Sequence, residues 1–178
     1  MPQAVTHFLI PVLLLELFRN VFVKNKAHFP AHYMFIGGLA GLIPDLDVAL
    51  YYILSFFGAT IQEVHRTFSH TLFLPLAFLI LGIVFSKTKN KELGEHHLKL
   101  GNIFFVISFG TFMHLLLDVT FSGVIMPLYP ILDFRVGLDL MHFFPEAWKN
   151  TIFPSLDALF LIIWMVYLEK KHKISNFI

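Results

Sequence analysis

Cysteine is absent from this 178-residue chain. Its absence excludes disulfides, thiolate catalysis and Cys-ligated zinc, so any metal site must use His, carboxylate, backbone or water. Charge is scarce too. Asp, Glu, Lys and Arg make up 14% of the residues, against roughly 25% in soluble domains. A net charge of +1 gives no argument for a nucleic-acid partner, and none is expected. There is no internal repeat and no low-complexity stretch. What the chain has instead is hydrocarbon: 57% of residues are hydrophobic, Phe alone contributes 22, and mean hydropathy is +0.73. At this length a single integral membrane domain over residues 1–178 is expected.

Five apolar stretches approach the ~20 residues that cross a bilayer: 5–23, 33–57, 66–85, 102–121 and 152–168. The expected fold is therefore an all-α, multi-pass bundle of about five transmembrane helices. The first stretch lacks a basic leader and a small-residue cleavage site, so it reads as a span rather than a signal peptide. In a five-span arrangement ten basic residues share one side: Arg19, Lys24, Lys26, Lys87, Lys89, Lys91, Lys99, Lys170, Lys171 and Lys173. Only Arg66, Arg135 and Lys149 fall on the other. This bias predicts a cell-membrane protein with its N-terminus outside and its C-terminus cytoplasmic.

Against this apolar background a set of His and Asp residues stands out, because ionisable groups at membrane depth are costly and tend to be paired or functional. His114 and Asp118 are four apart in His114-Leu-Leu-Leu-Asp118. They share a helix face and can grip one ion or staple two helices. Asp45 and Asp47 follow the helix-breaking Pro44, and Gly37, Gly38 and Gly41 precede it. A broken helix can turn both carboxylates inward, or one of them can act as a helix cap. His65 and His70 bracket Arg66 in His65-Arg-Thr-Phe-Ser-His-Thr71, with Thr67 or Ser69 near a helix N-cap. Arg66 suits a bidentate grip on phosphate, or snorkelling to the interface. His7 and Asp157 are weaker as isolated residues. His142 and Glu146 repeat the four-residue spacing, but Pro145 argues against a continuous helix there. In the predicted topology these residues converge on the outer half of the bundle.

The motif set resembles the YdjM-type, LexA-regulated family of membrane-bound metal-dependent hydrolases. The matching elements are Thr6-His7, Pro44-Asp-Leu-Asp47, His65-Arg-Thr-Phe-Ser-His-Thr71 and His114-Leu-Leu-Leu-Asp118, then Gly123-Val-Ile-Met-Pro-Leu-Tyr-Pro130 with Arg135 beyond. They cover residues 5–135. Ser69 and Thr71 stand where the family often has Thr and Ser. The same order of His and Asp is similar to the zinc-dependent phospholipase C and P1-nuclease group, which cleaves phosphoesters. That group's later zinc ligands have no clean counterpart here unless His142 and Glu146 serve.

Together these readings predict a His/Asp metal centre made by His7, Asp45, Asp47, His65, His70, His114 and Asp118. It would hold one to three divalent ions, zinc for its mixed nitrogen and oxygen donors, with manganese possible. Asp47 or Asp118 would bridge the ions, and Arg66 and Arg135 would bind substrate, with Arg66 and Asp47 as the catalytic pair. The expected reaction is hydrolysis of a phosphoester in a phospholipid or polyprenyl phosphate. A transporter or metal-ion permease using the same intramembrane residues is the alternative. A non-catalytic scaffold clamped by metal is a third reading.

Overall fold

A computed structural model describes residues 4–65, 67–87, 92–93 and 98–172, without the side chains of 62, 63, 92, 122, 146, 149, 150, 171 and 172. The architecture is a helical bundle. Its helices are α1 (Ala4–Phe22), α2 (His32–Ala40), α3 (Leu46–Leu54), α4 (Ile61–Val64), α5 (Phe73–Lys87), α6 (Leu100–Leu117) and α7 (Glu146–His172). A two-residue antiparallel pair, β1 (Glu92–Leu93) with β2 (Leu98–Lys99), joins α5 to α6. α6 packs between α5 and α2, α1 lies on α2, and α7 lies on α1.

Three helical stretches are long and apolar enough to cross a membrane: Ala4–Phe22, Leu100–Phe121 and Thr151–Lys170. They correspond to the first, fourth and fifth expected spans. The second and third take a different form. The stretch expected over 33–57, with its helix disturbed at Pro44, splits into two nine-residue helices, α2 and α3. Pro44 has no N–H to continue a helix, and the chain rounds the break on tight i→i+3 bonds, from Leu42 to Leu39, Ile43 to Ala40 and Leu46 to Ile43. Each half is too short to span alone, at about 1.5 Å per residue. The third expected stretch becomes a regular helix only at Phe73. Before it, hydroxyls bond nearby carbonyls and compete with the helix ladder: Thr67 Oγ1 donates to Val64 O and Thr71 Oγ1 to Phe68 O. Leu72 N–H is tied to Pro127 O. Pro75 is harmless in the first turn of α5, where its N–H would have no helical acceptor.

The bundle is polar inside and apolar outside. Among the described residues, eleven polar or charged residues are buried beside eleven hydrophobic ones, while Phe56 and Phe57 are 89% and 84% exposed. That inversion suits a chain whose solvent is hydrocarbon, where polar groups must find partners within the protein. One end of the bundle has a small apolar core of Leu15, Tyr33 and Val106. There Arg19 donates to Phe29 O, and Lys99 N–H donates to the Tyr33 hydroxyl. This basic end lies at the C-terminus of α1 and the N-terminus of α6. The His and Asp residues occupy the opposite ends of the same helices.

Candidate metal centre

Small residues and prolines bring the elements of the centre together. α6 carries a buried polar stripe of Ser108, Thr111, His114 and Asp118, spaced at three or four residues so that it shares one face. Ser108 Oγ donates to Pro75 O at 2.7 Å, which ties α5 to that face. α2 approaches α6 closely at Gly110, where a Cβ would overlap the Gly37 carbonyl and stand 2.8 Å from Ala40 Cβ. α1 approaches the break at Gly41, where a Cβ would overlap the His7 carbonyl. Pro11 cannot donate the helix bond that this carbonyl would otherwise accept. After Leu117 the helix widens into a π-helical turn, Asp118–Ser122, a distortion often found at functional sites.

Six of the predicted residues converge into three overlapping triads: His7, Asp45 and His114; Asp45, His65 and His70; His70, His114 and Asp118. Within each triad the donor atoms lie within 4.8 Å of one another, so each can hold a metal ion. His7, His70, His114 and Asp118 are buried, and Asp45 is one-third exposed. The His7 ring lies against that of His114, tilted by 34° with centroids 4.0 Å apart.

The histidine tautomers follow from what stands behind each ring. A carbonyl only accepts, so His114 Nδ1–H donates to Gly41 O at 2.7 Å. A carboxylate only accepts, so His65 Nδ1–H donates to Asp47 Oδ1 at 2.8 Å. Ser69 Oγ donates to Asp47 Oδ2 at 2.5 Å, which leaves His70 Nδ1–H to face that Asp47 oxygen at 3.2 Å and Ser69 Oγ at 3.0 Å. In the neutral rings, Nε2 of His70 and of His114 are therefore lone pairs, and they face each other at 3.2 Å. Asp118 Oδ2 lies 3.4 and 3.8 Å from them. Asp45 Oδ1 lies 3.6 Å from both and has no hydrogen-bond partner. With both rings neutral these acceptors repel one another, and a cation or a shared proton among them relieves that repulsion. A tetrahedral ion with zinc–nitrogen bonds of about 2.0–2.1 Å spaces its donors about 3.3 Å apart, close to the separations here. The donor set fits a metal ion.

Asp47 takes a different place from the bridging one expected. Its two oxygens accept from His65, Ser69 and His70 on the Nδ1 side, and it belongs to none of the triads. That is the place of an outer carboxylate, which would fix the rings of candidate ligands. Asp118 has the bridging disposition, with Oδ1 3.5 Å from His7 Nε2 and Oδ2 towards His70 and His114. Asp157 stays outside the triads: it accepts from the N–H and hydroxyl of Thr6, anchoring the first turn of α1 beside His7. His142 is exposed on a 3₁₀ turn and belongs to no triad. Arg135 is 68% exposed with Asp133 3.5 Å away, outside the cluster. Arg66 and the side chain of Glu146 lie outside the described residues. Sequence reading singled out neither Gly110 nor the Gly41 carbonyl. A lone glycine in an apolar span carries no chemical signal, and a backbone oxygen carries none at all.

No curated protein and no solved structure matches the chain. A family model does match, over residues 1–173, nearly the whole length and all six convergent residues. By that match the chain belongs to the YdjM inner membrane protein family.

Proposed function

We propose that this membrane protein is a metal-dependent hydrolase cleaving a phosphoester of a lipid-like substrate at the His/Asp cluster, near the outer leaflet. The observation that carries this reading is the convergence of four lone-pair atoms, from Asp45, His70, His114 and Asp118, on rings locked from behind. Asp45, a third exposed, leaves one side of the cluster accessible, whereas a purely structural clamp would be closed by its ligands. His70, His114 and Asp118 would hold one ion, with Asp45, His7 and His65 forming the neighbouring triads. A bound zinc or manganese ion supplies Lewis acidity and a water that ionises near neutral pH. Asp47 keeps His65 and His70 in the Nδ1–H tautomer, so that their Nε2 atoms remain donors to metal. The guanidinium of Arg66, between them in sequence, would bind the phosphate bidentately. Access at bilayer depth favours a phospholipid or polyprenyl phosphate.

One observation favours the transporter reading. Glu16 is buried towards the basic end of α1 and accepts from the Tyr167 hydroxyl, and transport sites need polar groups on both sides of the midplane. Leu9, Pro11, Val12 and Leu15, all buried on α1, separate it from the cluster. The deciding experiment incubates metal-replete protein in nanodiscs with phosphoester lipids of several classes. Cleavage that stops with chelator is expected. If every class survives, the hydrolase reading fails, and metal flux into proteoliposomes would establish the transporter.

The outward-facing site rests on the ten-to-three basic bias and on the placement of the cluster opposite the basic end. Because the chain has no cysteine, single replacements report cleanly. Lys89→Cys should resist an impermeant thiol reagent in intact cells, and Asp133→Cys, at an exposed position, should label. The reverse pattern would invert the orientation.

A further inference from the structure

The grooves on either side of α6, about 390 and 410 Å³, are lined almost wholly by apolar side chains, Phe105 and Phe109 bordering both. They meet no member of the triads or of the Asp47–Ser69 pair behind them, and bulk lipid suffices to fill them. A smaller cavity of about 310 Å³ differs. Leu50 and Leu54 of α3, Val64 of α4, Thr67 and Phe68 line it together with Asp47 and Ser69, the pair that holds the rings of His65 and His70. Its volume is at the lower end of the ~300–1,000 Å³ of small-molecule sites. On α3, on the 3₁₀ turn after it and at Phe68 of the lining the apolar surface is exposed: Leu46, Ile53, Phe56, Phe57 and Phe68 are 61–89% accessible. α3 packs chiefly on α4 and on the 3₁₀ turn that follows it, so this arm stands beside the bundle with its cavity next to the cluster.

We infer that this cavity holds the head-group-proximal part of a phospholipid acyl chain, placing the phosphoester at the His/Asp cluster. The inference rests on the hydrolase reading and adds a substrate class and a place for its tail. The occupant follows from the lining: Asp47 and Ser69, which support the candidate metal ligands, share the cavity with the apolar side chains of Leu50, Leu54, Val64 and Phe68 in a membrane protein. A chain moving from bilayer to groove leaves no water behind, because lipid tails are as apolar as Leu. The groove therefore contributes position more than affinity, and the head group at the metal supplies the attraction.

The test uses full-length, metal-replete protein in nanodiscs doped with a phospholipid carrying a diazirine near the start of one acyl chain. Photolabelling is expected on peptides containing Leu50, Leu54, Val64 or Phe68. Val64→Trp, which fills the cavity, should abolish that labelling, keep the metal, and abolish cleavage of the long-chain phospholipid while sparing a short-chain, water-soluble analogue. Leu50→Trp, at the half-exposed rim, is the second variant should the first not fold. Labelling elsewhere, labelling unchanged in both variants, or labelling there only by a polyprenyl phosphate probe would overturn the inference. Labelling that Val64→Trp removes, in protein that cleaves no phosphoester, would keep the tail site and remove the hydrolase reading. Long-chain cleavage unaffected by either variant would do the opposite.

Discussion

His114→Ala is expected to abolish metal binding and, with it, the response of thermal stability to chelator. His114 belongs to two of the three triads, and its Nε2 faces His70, Asp45 and Asp118 at 3.2–3.8 Å, so its loss opens both of those triads together. A metal that binds only the folded state stabilises it by mass action, about 2.7 kcal/mol at a free concentration 100 times Kd. Chelator should therefore lower the Tm of the unmodified protein and leave that of His114→Ala unchanged. Elemental analysis of both proteins gives the direct reading. Asp47→Ala is the informative contrast. As an outer carboxylate it should weaken metal affinity by about 10–100-fold without abolishing binding, whereas Asp118→Ala should abolish it. Equal loss in the Asp47 and Asp118 variants would return Asp47 to the ligand set. Unmodified protein that is metal-free yet indifferent to chelator in its melting would end the metal assignment.

The second large effect comes from a residue with no chemistry. Gly110→Ala places a methyl group against the Gly37 carbonyl, Ala40 Cβ and the Gly41 N–H. Two of these are backbone, which cannot rotate away, so α2 and α6 must separate. Overpacking of this kind costs about 1–3 kcal/mol and occasionally more, and small residues are what allow helices to approach in membranes. The separation also draws the Gly41 carbonyl from His114 Nδ1, now 2.7 Å away, and frees the ring to turn. Gly110→Ala is thus expected to lower both the unfolding temperature in detergent and the metal affinity. Gly58→Ala is a poor control, because Gly58 has φ +89 and any side chain there is strained. An unchanged melting curve for Gly110→Ala would show that the interface relaxes without cost.

Much of the centre was legible because its residue types are expensive in hydrocarbon. His7, Asp45, His65, His70, His114 and Asp118 stand out in apolar sequence for the same reason that they must meet in the fold: a buried charge or lone pair needs a partner. The two four-residue pairs show where such reading ends. His114 and Asp118 share a helix and a site. His142 and Glu146 share the spacing, yet His142 sits exposed on a 3₁₀ turn that ends before Pro145. Arg135, matched by its place after the Gly123–Pro130 segment, points instead to Asp133 on the surface.

Composition and the cost of charge by themselves determined that this is an all-α membrane chain and which side chains could hold a metal, because both follow from residue type and hydropathy along the chain. Only the tertiary structure decided how those side chains divide the work. Asp45 and Asp47 are two residues apart in one motif, yet one presents a lone oxygen to the cluster and the other stands behind two histidines. Their directions are set by the turn at Pro44 and by what α4, α5 and α6 bring against it. The partners that fix them, the Gly41 carbonyl, the Ser69 hydroxyl and the absent side chain of Gly110, lie up to 73 residues from the atoms they position, so no local pattern records them.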